Sequence, residues 1–246
     1  MQASAFVEFV AAGLRLADGR TLLHDLSLAV EAGETLVLIG RSGSGKTTAL
    51  KLVNALLLPT AGTVRVDGKP TTAWDPIALR RRTGYVIQEI GLFPHLTVAR
   101  NVGLVPELEG WPPARIAARV EELLDLIGLP PAEFAGRWPH QLSGGQRQRV
   151  GVARALAADP PLVLLDEPFG ALDPITRGEL QREFRSLQAR LRKTAIFVTH
   201  DLREATRVGD RLALLGGGRL LATGTPEALA ASTDPEVRAF LDAGAA

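Results

Sequence analysis

At 246 residues, 46% of them hydrophobic, the chain can form one large domain, or a main domain carrying a small inserted lobe. A formal net charge of +1 excludes a partner held by global electrostatics, and the absence of cysteine excludes disulfides and thiolate metal sites. No run approaches the roughly 18 apolar residues of a membrane span, and Met1–Ala5 lacks the basic and apolar regions of a signal peptide, so a cytoplasmic protein is expected.

Val7 to Leu16 reads as a strand, and beyond the turn at Asp18-Gly19 the alternation over Leu22–Leu28 gives a second. After a turn at Glu31–Glu34, the apolar run Leu36–Ile39 predicts a buried strand. It leads into Gly40-Arg41-Ser42-Gly43-Ser44-Gly45-Lys46-Thr47, and a helical pattern through Leu50, Val53, Leu56 and Leu57 follows, ending near Pro59. A glycine-rich loop between a strand and a helix is the setting for a phosphate cradle. Its glycines let backbone N–H groups turn onto an anion, and the helix start adds unpaired donors and the positive end of a dipole. Lys46 can reach the outer phosphates of a nucleotide, and the Thr47 hydroxyl can ligate Mg²⁺.

Gly62–Gly68 predicts a strand closing in a turn, so the early strands form a small antiparallel sheet beside the nucleotide. A short helix over Pro76–Arg82 and a buried strand at Gly84–Ile87 lead to Gln88. From about Thr97 to Pro139 the pattern is helical, with Ile116, Val120, Leu123, Leu124 and Ile127 at helical spacing, which indicates a separate helical lobe. A helix from Gln146 to Ala158, a strand at Leu162–Leu165, a helix from Ile175 to Arg192 and a strand at Ala195–Val198 follow. A short helix starts near Asp201. Leu212–Leu215 and Leu220–Ala222 form a hairpin across Gly216–Gly218, and two short helices end the chain. Apolar strands alternating with helices predict an α/β fold with a mainly parallel sheet covered on both faces.

Ligands of such sheets sit at the carboxyl ends of the strands. Those ends here carry Asp166-Glu167, Thr199-His200-Asp201 and Gln88. Asp166 is placed to hold Mg²⁺, Glu167 to polarise an attacking water, and His200 to reach the γ-phosphate and that water. Alone, a carboxylate pair after a strand is often a solvated helix start, and a single histidine is more often structural. Leu142-Ser143-Gly144-Gly145-Gln146 is by itself a capping box, with Ser143 and Gln146 three apart. The two glycines beside that cap leave N–H groups facing outward, a second anion site, so two chains head to tail can close both faces around two nucleotides.

With these stretches in this order, the chain resembles the ATPase subunit of an ATP-binding-cassette (ABC) transporter over almost its whole length. The phosphate loop is Gly40–Thr47, the glutamine loop holds Gln88, and the signature is Leu142–Gln146. Ala171-Leu172-Asp173 resembles the D-loop, and Thr199-His200 the switch histidine. The resemblance implies a P-loop NTPase core with a flanking antiparallel β-subdomain, about 1–96 and 140–246, and an inserted α-helical subdomain, about 97–158. The two overlap at the signature helix. It implies that ATP is held by Gly40, Arg41, Ser42, Gly43, Ser44, Gly45, Lys46, Thr47 and Thr48, and by Ser143, Gly144, Gly145, Gln146 and Asp173 in a sandwich dimer. Glu167 is then the catalytic base, assisted by His200, Gln88 and Lys46, and Thr47, Gln88 and Asp166 are the Mg²⁺ ligands. A membrane permease is expected to dock around Gln88 and the helical lobe, on the cytoplasmic face of the membrane, with an extracytoplasmic solute-binding protein acting indirectly.

Val86–Val98, reading Val-Ile-Gln-Glu-Ile-Gly-Leu-Phe-Pro-His-Leu-Thr-Val, together with Asn101–Pro106 and Gly110-Trp111, is similar to importers of glycine betaine, choline and related quaternary amines. Polar amino-acid importers share Phe93–Val98, and that alternative stays open. Many quaternary-amine members carry a C-terminal regulatory extension, and none is expected here. The family also stacks adenine on an aromatic ahead of the second strand, where this chain has Leu14-Arg15-Leu16-Ala17-Asp18. The base is therefore expected to meet an aliphatic surface, unless Phe9 fills the place. A soluble, non-transport cassette is the competing class, but neither a long coiled-coil insert, a second cassette nor a basic cluster with interleaved aromatics is present, so no nucleic-acid partner is expected.

Overall fold

The structure is a computed structural model that describes residues 5–88, 91–170 and 172–245. Glu89, Ile90 and Ala171, which carry part of the resemblance, lie outside the described residues. The strands in chain order are β1 (Ala5–Arg15), β2 (Thr21–Glu31), β3 (Thr35–Ile39), β4 (Ala61–Val66), β5 (Lys69–Pro70), β6 (Thr83–Val86), β7 (Leu162–Asp166), β8 (Thr194–Val198), β9 (Arg211–Gly216) and β10 (Arg219–Gly224). The helices are α1 (Lys46–Val53), α2 (Pro76–Arg81), α3 (Val98–Leu108), α4 (Pro113–Leu126), α5 (Pro131–Phe134), α6 (Gly144–Leu156), α7 (Pro174–Leu191), α8 (Leu202–Val208), α9 (Pro226–Ala230) and α10 (Pro235–Ala245).

One sheet has the order β10-β9-β3-β8-β7-β6, parallel except for β10, and the other is the antiparallel sheet β2-β1-β4-β5. Every residue of β3, β7 and β8 is buried because both faces of the parallel sheet are covered. Alternation along β3 divides the core in two. Leu36 and Leu38 join α1 and the antiparallel sheet, while Val37 and Ile39 join the cluster built on α6, α7 and α8. The α/β fold, the flanking antiparallel sheet and the strand-free helical stretch expected from the sequence are all present.

One helix is shorter than its pattern. The periodicity continued through Leu56 and Leu57, yet α1 stops at Val53 and Leu56 is left exposed. Ala55 adopts a left-handed conformation (φ 53°), the Asn54 side chain accepts from the Leu56 N–H, and Arg80 donates to the Asn54 and Ala55 carbonyls. Those bonds satisfy the end of the helix from outside it, which local periodicity cannot register.

Between β6 and α6 a buried amide adds a polar tie to the apolar packing. Asn101 is fully buried on α3. Its Oδ1 accepts from the Phe93 N–H at 2.8 Å, and its Nδ2 lies 3.0–3.1 Å from the carbonyls of Phe93, Leu96 and Thr97. This amide pins the loop that follows the glutamine segment to the helical lobe. Replacing Asn101 by Ala leaves several backbone groups buried without partners, at a cost of about 3 kcal/mol. In a chain of this size that lowers Tm by roughly 6–12 °C. Differential scanning calorimetry tests this, and an unchanged Tm would show that other ties, such as the Arg154 hydrogen bond to the Gly91 carbonyl, hold the loop without it.

Candidate active site

Register brings the site together. Leu38 pairs with Val198, and Val198 pairs with Asp166, so β3, β8 and β7 end level with one another. Each end carries its polar residues to the same edge. Gly40–Thr48, Gln88, Glu167 and His200 line one cavity of about 690 Å³.

The phosphate loop needs glycine at two positions in particular. A Cβ on Gly40 would lie 2.2 Å from the Leu215 carbonyl, and Gly45, the N-cap of α1, has φ 98° and would press on Leu23. Lys46 is folded into its own loop, donating to the carbonyls of Gly40 (2.8 Å) and Arg41 (2.9 Å). Burial lowers its pKa, and the charges of Glu167 and Asp166 oppose that shift. The Thr47 hydroxyl donates to Asp166 Oδ1 at 2.9 Å. Asp166 is almost wholly buried, and that burial pushes its pKa up, with the Thr47 hydrogen bond opposing and the Glu167 charge adding to the rise.

Glu167 stands next to it in a left-handed conformation (φ 44°), uncommon for a non-glycine residue and fixed here by an N–H bond to the Val198 carbonyl at 3.0 Å. Its Oε2 lies 3.3 Å from Nδ1 of His200, which is exposed on the cavity wall. A carboxylate in contact with an imidazole beside an anion cradle can bind a phosphate chain, orient a water and take up a proton.

The other expected residues lie elsewhere in the chain. Ser143 caps α6, accepting from the Gln146 N–H (3.2 Å), while Gln146 Oε1 accepts from the Ser143 N–H (2.9 Å), so the capping box is real. Gly145 has a second reason to be glycine, since a Cβ there would lie 2.7 Å from Thr176 on α7. Asp173 caps α7, accepting from the N–H groups of Ile175 and Thr176, and hydrogen bonds from Thr176 hold its pKa down. Leu172 faces Gly144, so the signature and the start of α7 form a second group apart from the cavity. Ile175 beside them is 76% exposed.

Three wall residues had no sequence signal. Leu22 on β2 and Phe240 and Ala243 on α10 line the cavity, brought there from distant parts of the chain. Leu22, and not Leu16, reaches the wall. Phe9 is buried in the core beneath the antiparallel sheet and does not line the cavity. Phe240 also lies along Arg41–Ser44, the first half of the phosphate loop, whereas the Leu22 carbonyl faces Gly45.

Because the folded-state pKa of Asp166 is raised, its ionised form costs stability. The cost is full above the folded pKa and vanishes as pH falls below the ordinary carboxylate value. Asp166→Asn keeps an acceptor for Thr47 and removes the buried charge. The variant without nucleotide should therefore melt higher than wild type at pH 8, with the gap closing toward pH 4. Thermal melts across that range check it, and a lower Tm at pH 8 would show that Lys46 and Lys51 outweigh the burial.

Residues 23–170 match the family described as ABC transporter. The choline transport ATP-binding protein OpuBA of Bacillus subtilis is 51% identical over 209 residues, covering 85% of this chain and 55% of that protein. The glycine betaine uptake system ATP-binding protein YehX of Escherichia coli is 49% identical over 212 residues, covering 86% and 68%. The chain thus spans about half the length of the first of these relatives. Among solved structures, a dimeric post-hydrolysis state of an ATP-binding cassette bound to ADP and Pi superposes with a TM-score of 0.79 at 33% identity, covering 89% of this chain and 98% of that one. The cavity, the strand order and these matches agree, and the chain belongs to the ABC transporter family.

Proposed function

We propose that the chain is the ATP-hydrolysing subunit of an ABC importer. The observation that carries this reading is the Glu167–His200 contact at 3.3 Å on the wall of the cavity that the phosphate loop opens into. Arriving phosphates release Lys46 from the Gly40 and Arg41 carbonyls and take its charge, together with the N–H groups at the start of α1. Glu167 orients the attacking water and accepts its proton, and His200 fixes Glu167 and faces the γ-phosphate. The oxygen donors Thr47, Asp166 and Gln88 fit Mg²⁺, since a buried carboxylate whose hydrogen-bond partner is a neutral hydroxyl is suited to a hard cation. That ion, when bound, supplies charge neutralisation to the outer phosphates. The base lies toward Leu22, on the α1 side of the loop.

The N-terminus of α6 serves a second copy. Ser143, Gly144 and Gly145 stand apart from the chain's own cavity, and exposed Ile175 lies nearby, which supports a head-to-tail dimer in which each copy completes the other's site. Residues 97–158 act as a helical subdomain on the core. The permease docks near the glutamine loop, where Phe93 and Trp138 are exposed apolar rings. The transported solute is a quaternary amine such as glycine betaine or choline, recognised by an extracytoplasmic binding protein and not by this subunit, which works on the cytoplasmic face. The stretch Val86–Val98 and the two named relatives support this choice.

Glu167→Gln should keep ATP binding while steady-state hydrolysis falls about 10²–10⁴-fold, the usual worth of a general base. Phosphate release and ATP titration on the same preparation measure the two. Single-turnover hydrolysis near the wild-type rate would remove Glu167 from its role. For the solute, calorimetry on the cognate binding protein should show choline or betaine binding, and amino-acid binding alone would refute the quaternary-amine choice.

A further inference from the structure

Helix α7 carries a polar stripe. Arg177, Gln181, Arg185 and Gln188 are spaced four, four and three residues apart, which places them on one face. That face is turned toward α8 and the strands beside it, with Gln181 and Gln188 buried and Arg185 on its exposed margin. Arg177 donates to the Leu172 carbonyl at 2.9 Å and lies 3.9 Å from the Asp201 carboxylate. Gln181 Nε2 donates to Glu204 Oε1 at 3.1 Å, and its Oε1 accepts from Arg207 at 2.7 Å. Arg185 reaches Asp210 at 2.7 Å, and Gln188 Nε2 donates to Thr35 Oγ1 and the Lys193 carbonyl.

The middle of this ladder is buried. Gln181 is 3% exposed, Glu204 5% and Thr199 2%. Burying an amide and a carboxylate is costly unless they pair, and apolar side chains of similar volume would pack two helices at less cost. What a paired polar cluster adds is one allowed register. Here the register joins two ends that matter. At one end, Asp201 caps α8 by accepting from the Glu204 N–H, and the Asp201 N–H donates to Thr199 Oγ1, so Glu204 is tied to the turn that presents His200. At the other end, Asp173 and Leu172 start α7 beside the signature glycines. A small cavity of about 30 Å³ lies between, lined by Glu167, Arg177, His200 and Glu204 among others.

We propose that Gln181 and Glu204 are positioning residues that lock α7 to α8 and so hold the turn that presents His200 against Glu167. The inference rests on the hydrolytic reading of the site. Neither residue touches nucleotide. Both act through His200.

Gln181→Met preserves volume and helix preference while removing both hydrogen bonds. Its kcat for ATP hydrolysis should fall roughly tenfold to a hundredfold, the scale of a small misplacement at the reacting centre, with the ATP Kd unchanged. Glu204→Ala should do the same, the double variant should be no slower than either single one, and Glu204→Gln should recover most of the rate. In a His200→Ala background, Gln181→Met should have no further effect on the residual rate. A wild-type kcat in Gln181→Met, or a loss that multiplies with that of His200→Ala, overturns the proposal. If the wild-type chain, in dimer-forming conditions or with its permease, hydrolyses no ATP, the hydrolytic reading itself fails, a result separate from a clamp that has no effect.

Discussion

Backbone pairing of Leu38 with Val198, and of Val198 with Asp166, holds three strand ends level, and the distances among Lys46, Thr47, Asp166, Glu167 and His200 depend on it. The register is fixed twice over. Slipping β3 by one residue would exchange Leu36 and Leu38 with Val37 and Ile39, moving each pair into the wrong one of two differently shaped cores. Rigid ends then follow from packing and need no special reinforcement at the site. Strand spacing places β7 two positions from β3, about 10 Å away, a span suited to a phosphate chain with a water beyond it.

That rigid frame carries groups that are already occupied with one another. Lys46 is bound to carbonyls of its own loop, and Thr47 to Asp166. An incoming phosphate exchanges one set of hydrogen bonds for another, so its net gain is smaller than a count of contacts implies. The gain that remains is electrostatic. A lysine whose charge is disfavoured by burial and a carboxylate disfavoured for the same reason both await counter-charge. The strained Glu167 backbone is part of the same design, since its φ of 44° sets the carboxylate beside His200.

The glycine-rich loop and the signature cap were legible because each carries a local pattern. The left-handed turn at Gly45 and the Ser-x-x-Gln box each have a physical reason within a few residues, whereas the Leu215 carbonyl that also demands glycine at position 40 is far along the chain. The end of α1 was not legible, because Arg80 closes it from a different helix. Leu22 and Phe240 reach the cavity from β2 and α10, and no spacing rule links either to Lys46. The polar stripe of α7 was present in the sequence but ambiguous, since such a stripe ordinarily faces water. Burial of Gln181 and Glu204 gives it a different meaning. Gly145 shows the reverse. The sequence suggests an anion site for it, and its close approach to Thr176 adds a packing reason.

Helix α7 therefore stands between two functional faces with unequal grips. Toward α6 its bonds are the Arg149–Glu183 ion pair at 2.8 Å, with the carboxylate 47% exposed, and the close Gly145–Thr176 contact. An ion pair of that exposure contributes roughly 0–1 kcal/mol. Toward α8 it has a buried amide–carboxylate pair, and breaking that leaves groups unpaired away from water, at about 1–3 kcal/mol each. Both sides also share the buried apolar cluster to which Leu180, Phe184 and Leu187 belong, so the polar bonds are where the two grips differ. Hydrogen bonds through Gln181, Glu204 and Asp201 tie α7 to α8 and the His200 turn, whereas the signature glycines meet the start of α7 through side-chain contacts at Leu172 and Thr176.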